Sequence, residues 1–465
     1  MTLRVVLGVD VSTAALRVTA LDVDAATEVA SASAALSGVS GEPGIREQDA
    51  DYAALALTAI DRALGRVAEP FEVASIAITT TSGTVVPVDA EGLQRGVAVM
   101  YDDGRGTSWE SRLSRKTGRP TSMLGRMMAL AARDPEFRAA SVAQVIGSAL
   151  IGEPAAGDTS HFLKAGIDPS KTEWEDVMLA DADLRRHAVP VLVQPGTVLG
   201  TVRSGGAAGA LLIAGMTDGC TSQIASGAVS DGQSVGVLGT TLVLKAVSPV
   251  DNWDAATGIY AHRSPDGRFW LGGASNVGGG SVVGPPGLSY AEAETLARAN
   301  GPSTVVRYPL ARTGERFPVA NSRLMPFVVD LTGAPVADLD PIAAYRAGLE
   351  GVALVERLGL EALGIVPSAG QRILSGGGTR NGLWNEIRAA TLGAVVRIPA
   401  HAESGFGAAI LAAWGMSTER FADVVARFSG GGVLLEPDPE LTAVMAERYS
   451  IFRAALARQS NRSSS

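Results

Sequence analysis

Residues 213–245 read IAGMTDGCTSQIASGAVSDGQSVGVLGTTLVLK, and the architecture is decided in them. The first half ends the apolar run ALLIAGM on Asp218, whose neighbours Gly215, Thr217 and Gly219 are small enough to leave its carboxylate accessible. The second half sets a tight turn, Gly239–Thr241, between two runs rich in Val and Leu. Successive backbone N–H groups in such a turn form a concavity for an anion, although an ordinary hairpin turn gives the same pattern. For Asp218 the corresponding plain reading is a helix N-cap. LGVDVSTAALRVTALD at 7–22 repeats the plan of VGVLGTTLVLKAV at 235–247: strand, hydroxyl-rich turn, strand. Two such hairpins, far apart in one chain, suggest two α/β domains of like fold facing one cleft.

Composition limits what such a chain does. At 465 residues it exceeds a single core and suits two large domains. Its net charge of −9 and pI near 5.2, with no basic stripe, argue against nucleic acid as a partner. The single cysteine, Cys220, excludes an intrachain disulfide framework or a Cys-rich zinc site. His161, His187, His262 and His401 make no ligand-spaced pair. No signal-peptide pattern opens the chain and no apolar run reaches the ~20 residues of a membrane span, so a soluble, cytoplasmic protein is expected, with a homodimer left open.

Three strands are expected over 4–34, helices over 51–67, 289–299 and 341–363, and helical segments through 107–150 broken at Pro120 and Pro135. Asp10 ends the first strand, followed by Ser12 and Thr13. There a carboxylate could meet Mg²⁺ and hydroxyls a phosphate, or Asp10 could simply organise the turn. SGGGTRNG at 375–382 is a glycine turn from strand to helix, with Asn381 and Trp384 just beyond as an adenine's hydrogen-bonding partner and apolar wall. Trp384 equally suits a core. Ser82, Asp102, Asp103, Arg105 and Asp158 are loop polar residues fit for a polyhydroxylated ligand, or for plain solvation.

Phosphoryl transfer needs donors around the triphosphate, a bridging cation and a carboxylate that takes the proton of the attacking hydroxyl. GVDVSTAALR, VLGTTLVLK, SGGGTRNGLWNEIRAATLG and AESGFGAAILAAWG supply candidates for each, and in this order, over residues 3–416, they resemble the FGGY family of carbohydrate kinases. The resemblance implies two RNase H-like domains of the actin type with an active-site cleft between them: 1–226 for sugar, 227–456 for ATP, and 457–465 as a disordered tail. It implies Asp218 as catalytic base and sugar ligand, and Asp10 at the sugar and Mg²⁺ site. Thr13, Gly239 and Thr240 fall on phosphate positions, and Gly377, Asn381 and Trp384 on the nucleotide side. TTTSGT stands where xylulose kinases carry Gln-x-His-Gly, placing Ser82 at the sugar, and with YPLARTGERFPVA it looks closer to the D-ribulose kinase-like branch. Ser12 replaces a usual glycine and Thr79 that branch's aspartate. A ketopentose such as D-ribulose is the expected acceptor; xylulose or a polyol, a non-catalytic actin-like ATP-binding protein and a regulatory sugar-binding protein remain alternatives.

Overall fold

The computed structural model describes residues 2–254 and 256–464 and resolves into two compact α/β units. The first comprises Met1–Gly227, His262–Arg268 and His401–Gly430, the second Ala228–Ala261, Phe269–Ala400 and Gly431–Ser465.

Each unit is built on one sheet, and the two sheets share a plan. In the first, strand Leu3–Val11 pairs antiparallel with Ala15–Asp22, which pairs antiparallel with Thr27–Ala35. On its other side Leu3–Val11 runs parallel to Phe71–Thr80, itself parallel to Leu211–Ile213. In the second, Ser234–Leu238 pairs antiparallel with Leu242–Ser248, which pairs antiparallel with Phe269–Ala274. Ser234–Leu238 likewise runs parallel to Arg372–Ser375, itself parallel to Val396–Pro399. The short sequence likeness between the two hairpins is thus a likeness of topology. Strand Leu3–Val11 is buried at every residue from Val5 onward, which accounts for its unbroken apolar run where a half-exposed strand would alternate.

Two features differ from the expected division of the chain. His401–Gly430 packs with the first unit, and the reason is steric. The backbone of helix Ser404–Gly415 lies directly on strand Leu3–Val11 at Gly8 and on helix Asp218–Ser226 at Gly407, where missing side chains admit it. A Cβ at Gly8 would stand 1.9 Å from the Gly405 carbonyl oxygen, and one at Gly407 would stand 1.7 Å from that of Thr221. Hydrogen bonds fix the seat, from Ser75 Oγ to the Ala412 carbonyl at 2.8 Å and from Ser222 Oγ to that of Ala402 at 2.6 Å. Because neither backbone can yield, Gly8→Ala is expected to cost about 3 kcal/mol or more in urea unfolding; a loss below about 0.5 kcal/mol would mean the helix separates from the strand freely. The other difference is the C-terminus, where helix Pro439–Ser464 takes in residues 457–464, set down above as a disordered tail.

In the second unit, Asp340 caps helix Pro341–Ala362 by accepting from the N–H groups of Ile342 and Ala343, with Pro341 at the first helical position. That helix presents Glu356 to Arg388 of helix Gly382–Leu392 in a fully buried pair at 2.6 Å. Arg388 also donates to the Gly236 carbonyl at 2.9 Å. A Cβ at Gly236 would lie 2.0 Å from the Glu356 carboxylate, so glycine is what admits this pair beneath strand Ser234–Leu238 and holds the turn that follows.

Candidate active site

The candidate residues of the first unit gather where its parallel strands end, the edge at which open α/β sheets bind ligands. Asp10 lies one residue before the end of Leu3–Val11, in register with Thr79 on one neighbour and Arg17 on the other. Thr80 bridges to Thr217, the residue preceding helix Asp218–Ser226, which draws the Ser82 turn and Asp218 to the same edge. Asp10 does not organise the turn after it. Ser12 does: its Oγ donates to the Ala15 carbonyl at 2.8 Å and accepts from the Ala15 N–H at 3.2 Å. Asp10 is instead 8% exposed, with Arg17 only 3.8 Å away. Its pKa is pushed up to about 6, first by burial and then by the charge of Asp218, with Arg17 opposing. Two carboxylates that feel each other at a strand edge fit a cation or a proton in transfer.

Asp218 is likewise not an N-cap. Thr217 holds that position, and Asp218 is the first helical residue, half-buried, its Oδ1 accepting from the Gly219 N–H at 2.6 Å. The segment before it is held by Ser160, whose Oγ accepts from the Thr217 N–H at 3.2 Å and lies 3.1 Å from His262 Nδ1.

Several loop residues expected near a ligand are committed elsewhere. Asp103 is buried and accepts from the Arg46 N–H at 2.7 Å and from the Arg105 guanidinium through both oxygens. Asp102 is exposed and pairs with Arg46 at 3.2 Å. Asp158 is buried too: Oδ1 accepts from the Ser160 and His161 N–H groups, and Oδ2 meets His161 Nδ1 at 2.5 Å. Burial pushes the His161 imidazolium down, but the Asp158 carboxylate more than offsets it, so the net shift is upward. These carboxylates shape loops; a solvated position and a buried clasp look alike in sequence.

What sequence reading missed stands beside Ser82. The Ser82 carbonyl accepts from Lys164 Nζ at 3.3 Å, and the Gly83 carbonyl accepts from Arg126 Nε and a terminal guanidinium nitrogen at 3.2 and 3.0 Å. Gly83 has φ +95, and a Cβ there would meet Arg126 at 3.1 Å and Lys164 at 3.2 Å. Burial pushes the Lys164 pKa down and Arg126 adds to that, while Asp218 opposes. A lone lysine in GDTSHFLKAG carries no signal of this.

In the second unit, Gly239, Thr240, Gly377, Asn381 and Trp384 line a single pocket of about 550 Å³, within the size range of small-molecule sites. Thr13, the remaining residue expected on the phosphate side, belongs to the first unit; its carbonyl accepts from Gln48 Nε2 at 2.8 Å. The Gly239–Thr241 turn is laced to Gly278–Gly280, since the Gly279 and Gly280 N–H groups donate to the Gly239 and Thr240 carbonyls at 2.8 and 3.0 Å. A Cβ at Gly278 would reach to 2.4 Å from Thr241 Cα, so Gly278–Gly280 form a pocket wall set by backbone contact. Across the pocket, Gly376 takes φ +84 directly after strand Arg372–Ser375, its missing Cβ clearing the Leu238 carbonyl. Asn381 caps helix Gly382–Leu392, accepting from the Trp384 N–H at 2.8 Å and donating to Tyr345 at 3.0 Å. Trp384 is both wall and core: it is 6% exposed, and its Nε1 donates to the Leu349 carbonyl at 2.9 Å. Tyr290, Glu294 and Tyr345 complete the lining. They sit on helices whose patterns marked them only as surface or core.

Residues 236–416, which include this glycine wall and both later glycine segments, match the C-terminal domain of the FGGY family of carbohydrate kinases. The chain is 28% identical to a xylulose kinase of Escherichia coli (strain K12) over 258 residues, 52% of this chain. It spans about half the length of the curated relatives it matches. Over nearly all of both chains it is similar in structure to a xylulose kinase from Rhodospirillum rubrum, with TM-score 0.82 at 22% identity and 98% and 99% coverage. A gluconate kinase from Lactobacillus acidophilus gives TM-score 0.81 at 18% identity, covering 99% of this chain and 100% of that one. At such identities the structural likeness establishes the fold alone. Residues 236–416 thus match the C-terminal domain of the FGGY family of carbohydrate kinases, and the chain as a whole has the fold of the sugar kinases named.

Proposed function

We propose that this protein transfers the γ-phosphoryl group of ATP to a primary hydroxyl of a small sugar, a ketopentose with D-ribulose first, and that Asp218 is the base. The observation that carries the reading is that Asp10, near the end of Leu3–Val11, and Asp218, the residue after the Thr80–Thr217 bridge, stand at one sheet edge, in a chain whose other unit holds a glycine-walled pocket. Asp218 accepts the proton of the attacking hydroxyl, and the preset geometry of the helix start keeps its carboxylate aimed. Gly239 and Thr240 bear on the phosphates, while Gly377, Asn381 and Trp384 bear on the nucleoside. Thr13, beside Asp10, bears on the phosphate end. The domain division follows the two units, the first for sugar and the second for nucleotide.

Mg²⁺ fits the residues present. No cluster of three His, Cys, Asp or Glu that could hold a metal occurs among the described residues, which suits a cation held chiefly by phosphate oxygens and water with one or two carboxylates. Asp10, buried and disfavoured as an anion by Asp218, is the side chain to approach it. When bound, the ion would neutralise charge on the phosphates.

Xylulose is the second reading, favoured by the relatives of that name. ADP formation measured against ketopentoses, polyols, aldoses and sugar acids tests the proposal. A ketopentose should stimulate turnover most, and ATP hydrolysis indifferent to every sugar would leave an actin-like ATP-binding protein as the better account. Ser82→Ala should raise the Michaelis constant for sugar about tenfold and leave that for ATP within about twofold; equal rises would remove Ser82 from the sugar side.

A further inference from the structure

The turn at Ser82–Gly83 has an unusual balance of hydrogen-bonding groups. Its two carbonyls are occupied by cations: Ser82's by the Lys164 ammonium at 3.3 Å, and Gly83's by two N–H groups of Arg126. Arg126 is 3% exposed, and its further bonds go to the Asp103 carbonyl at 3.5 Å and Ser122 Oγ at 3.4 Å. The Asp103 carboxylate that might have paired with it is already taken by Arg105. Lys164 is half-buried, and of its three hydrogens the Ser82 carbonyl accounts for one. The groups gathered at Gly83 are therefore hydrogen-rich and acceptor-poor. A ligand oxygen that meets Lys164 there does best as a pure acceptor, because the ammonium only donates.

We propose that Lys164 binds the carbonyl oxygen of an open-chain ketose and is the residue that makes this site prefer a ketose to the corresponding polyol. The proposal rests on the sugar-kinase reading of the first unit and deepens it. Lys164 holds the Ser82 carbonyl two residues after Thr80, which bridges to Thr217 beside Asp218, so a short sugar could set its carbonyl on the ammonium while its terminal hydroxyl faces the carboxylate. Reducing the carbonyl turns a pure acceptor into a donor and acceptor, and a site built for one rejects the other strongly.

Calorimetric binding of a ketopentose and of its reduced pentitol to wild type, Lys164→Met and Lys164→Arg tests this without requiring turnover. Wild type should bind the ketose at least about tenfold more tightly than the pentitol. Lys164→Met should bring the two within about threefold by weakening the ketose, and Lys164→Arg, which keeps the charge and donors, should retain part of the preference. Should the Met variant not fold, as judged by thermal melting, Lys164→Gln carries the same comparison. A wild type without ketose preference, or a Met variant that keeps it, overturns the proposal. ADP release in parallel separates the two readings: ketose preference lost in the Met variant, with no sugar-stimulated ADP in wild type, would uphold Lys164 and sink the kinase.

Discussion

Asp218→Asn is expected to lower sugar-stimulated ATP turnover by about a hundredfold to ten-thousandfold, the usual worth of a positioned general base, while sugar affinity stays within about threefold of wild type. The substitution keeps shape and the hydrogen bond from the Gly219 N–H to Oδ1, so the helix start should survive. It removes the acceptor for the hydroxyl proton. Burial, the larger cause of the raised Asp10 pKa, remains, but the charge of Asp218 that adds to it is gone, so the Asp10 pKa should fall part of the way toward the ordinary carboxylate range. A variant with turnover within threefold of wild type would take Asp218 out of the base role. A variant that lost sugar binding and turnover together would make it a ligand only.

Asp10→Asn is expected to stabilise the protein at pH 8 while abolishing its Mg²⁺-dependent activity. The folded-state pKa of about 6 lies above the ordinary value of 3.8. Above pH 6 both folded and unfolded chains carry the anion, and the folded chain bears the cost of burying it beside Asp218. As pH falls from 6 toward 4 the folded chain takes up its proton first, so stability rises and the cost disappears. The gain from Asn should therefore be on the order of 2–3 kcal/mol at pH 8 and vanish only below the ordinary carboxylate pKa of 3.8. That corresponds to several degrees of melting temperature. Equal melting of the two proteins at pH 8, measured without nucleotide or Mg²⁺, would show that Asp10 ionises at no cost. A residue that weakens the fold in its working form is what a functional site is expected to contain.

Much of this was legible beforehand because it depended on local pattern. The expected strands over 4–34 and helices at 289–299 and 341–363 appear as Leu3–Val11, Ala15–Asp22, Thr27–Ala35, Tyr290–Ala299 and Pro341–Ala362. Asp10, Asp218 and the two glycine turns stood out because small residues and strand ends mark places where backbone approaches a ligand. What was not legible depended on contacts distant in sequence. The apolar run of AESGFGAAILAAWG reads the same whichever sheet it covers, and only backbone contacts distant in sequence, at Gly8 and Gly407, seat it against the strand of Asp10. Asp103 and Asp158 looked like available loop carboxylates because nothing nearby in sequence announces that Arg46, Arg105 and His161 converge on them. Lys164 was invisible for the converse reason: its meaning comes from Ser82, 82 residues earlier.

Phosphate is expected to move from ATP to a sugar hydroxyl. Phosphorus NMR of the wild-type protein with ATP, Mg²⁺ and D-ribulose reads that directly. A phosphate monoester signal growing in step with ADP, and absent without the sugar, is the result the two carboxylates and the glycine-walled pocket lead us to expect. ADP accompanied only by inorganic phosphate, at a rate the sugars do not change, would contradict it.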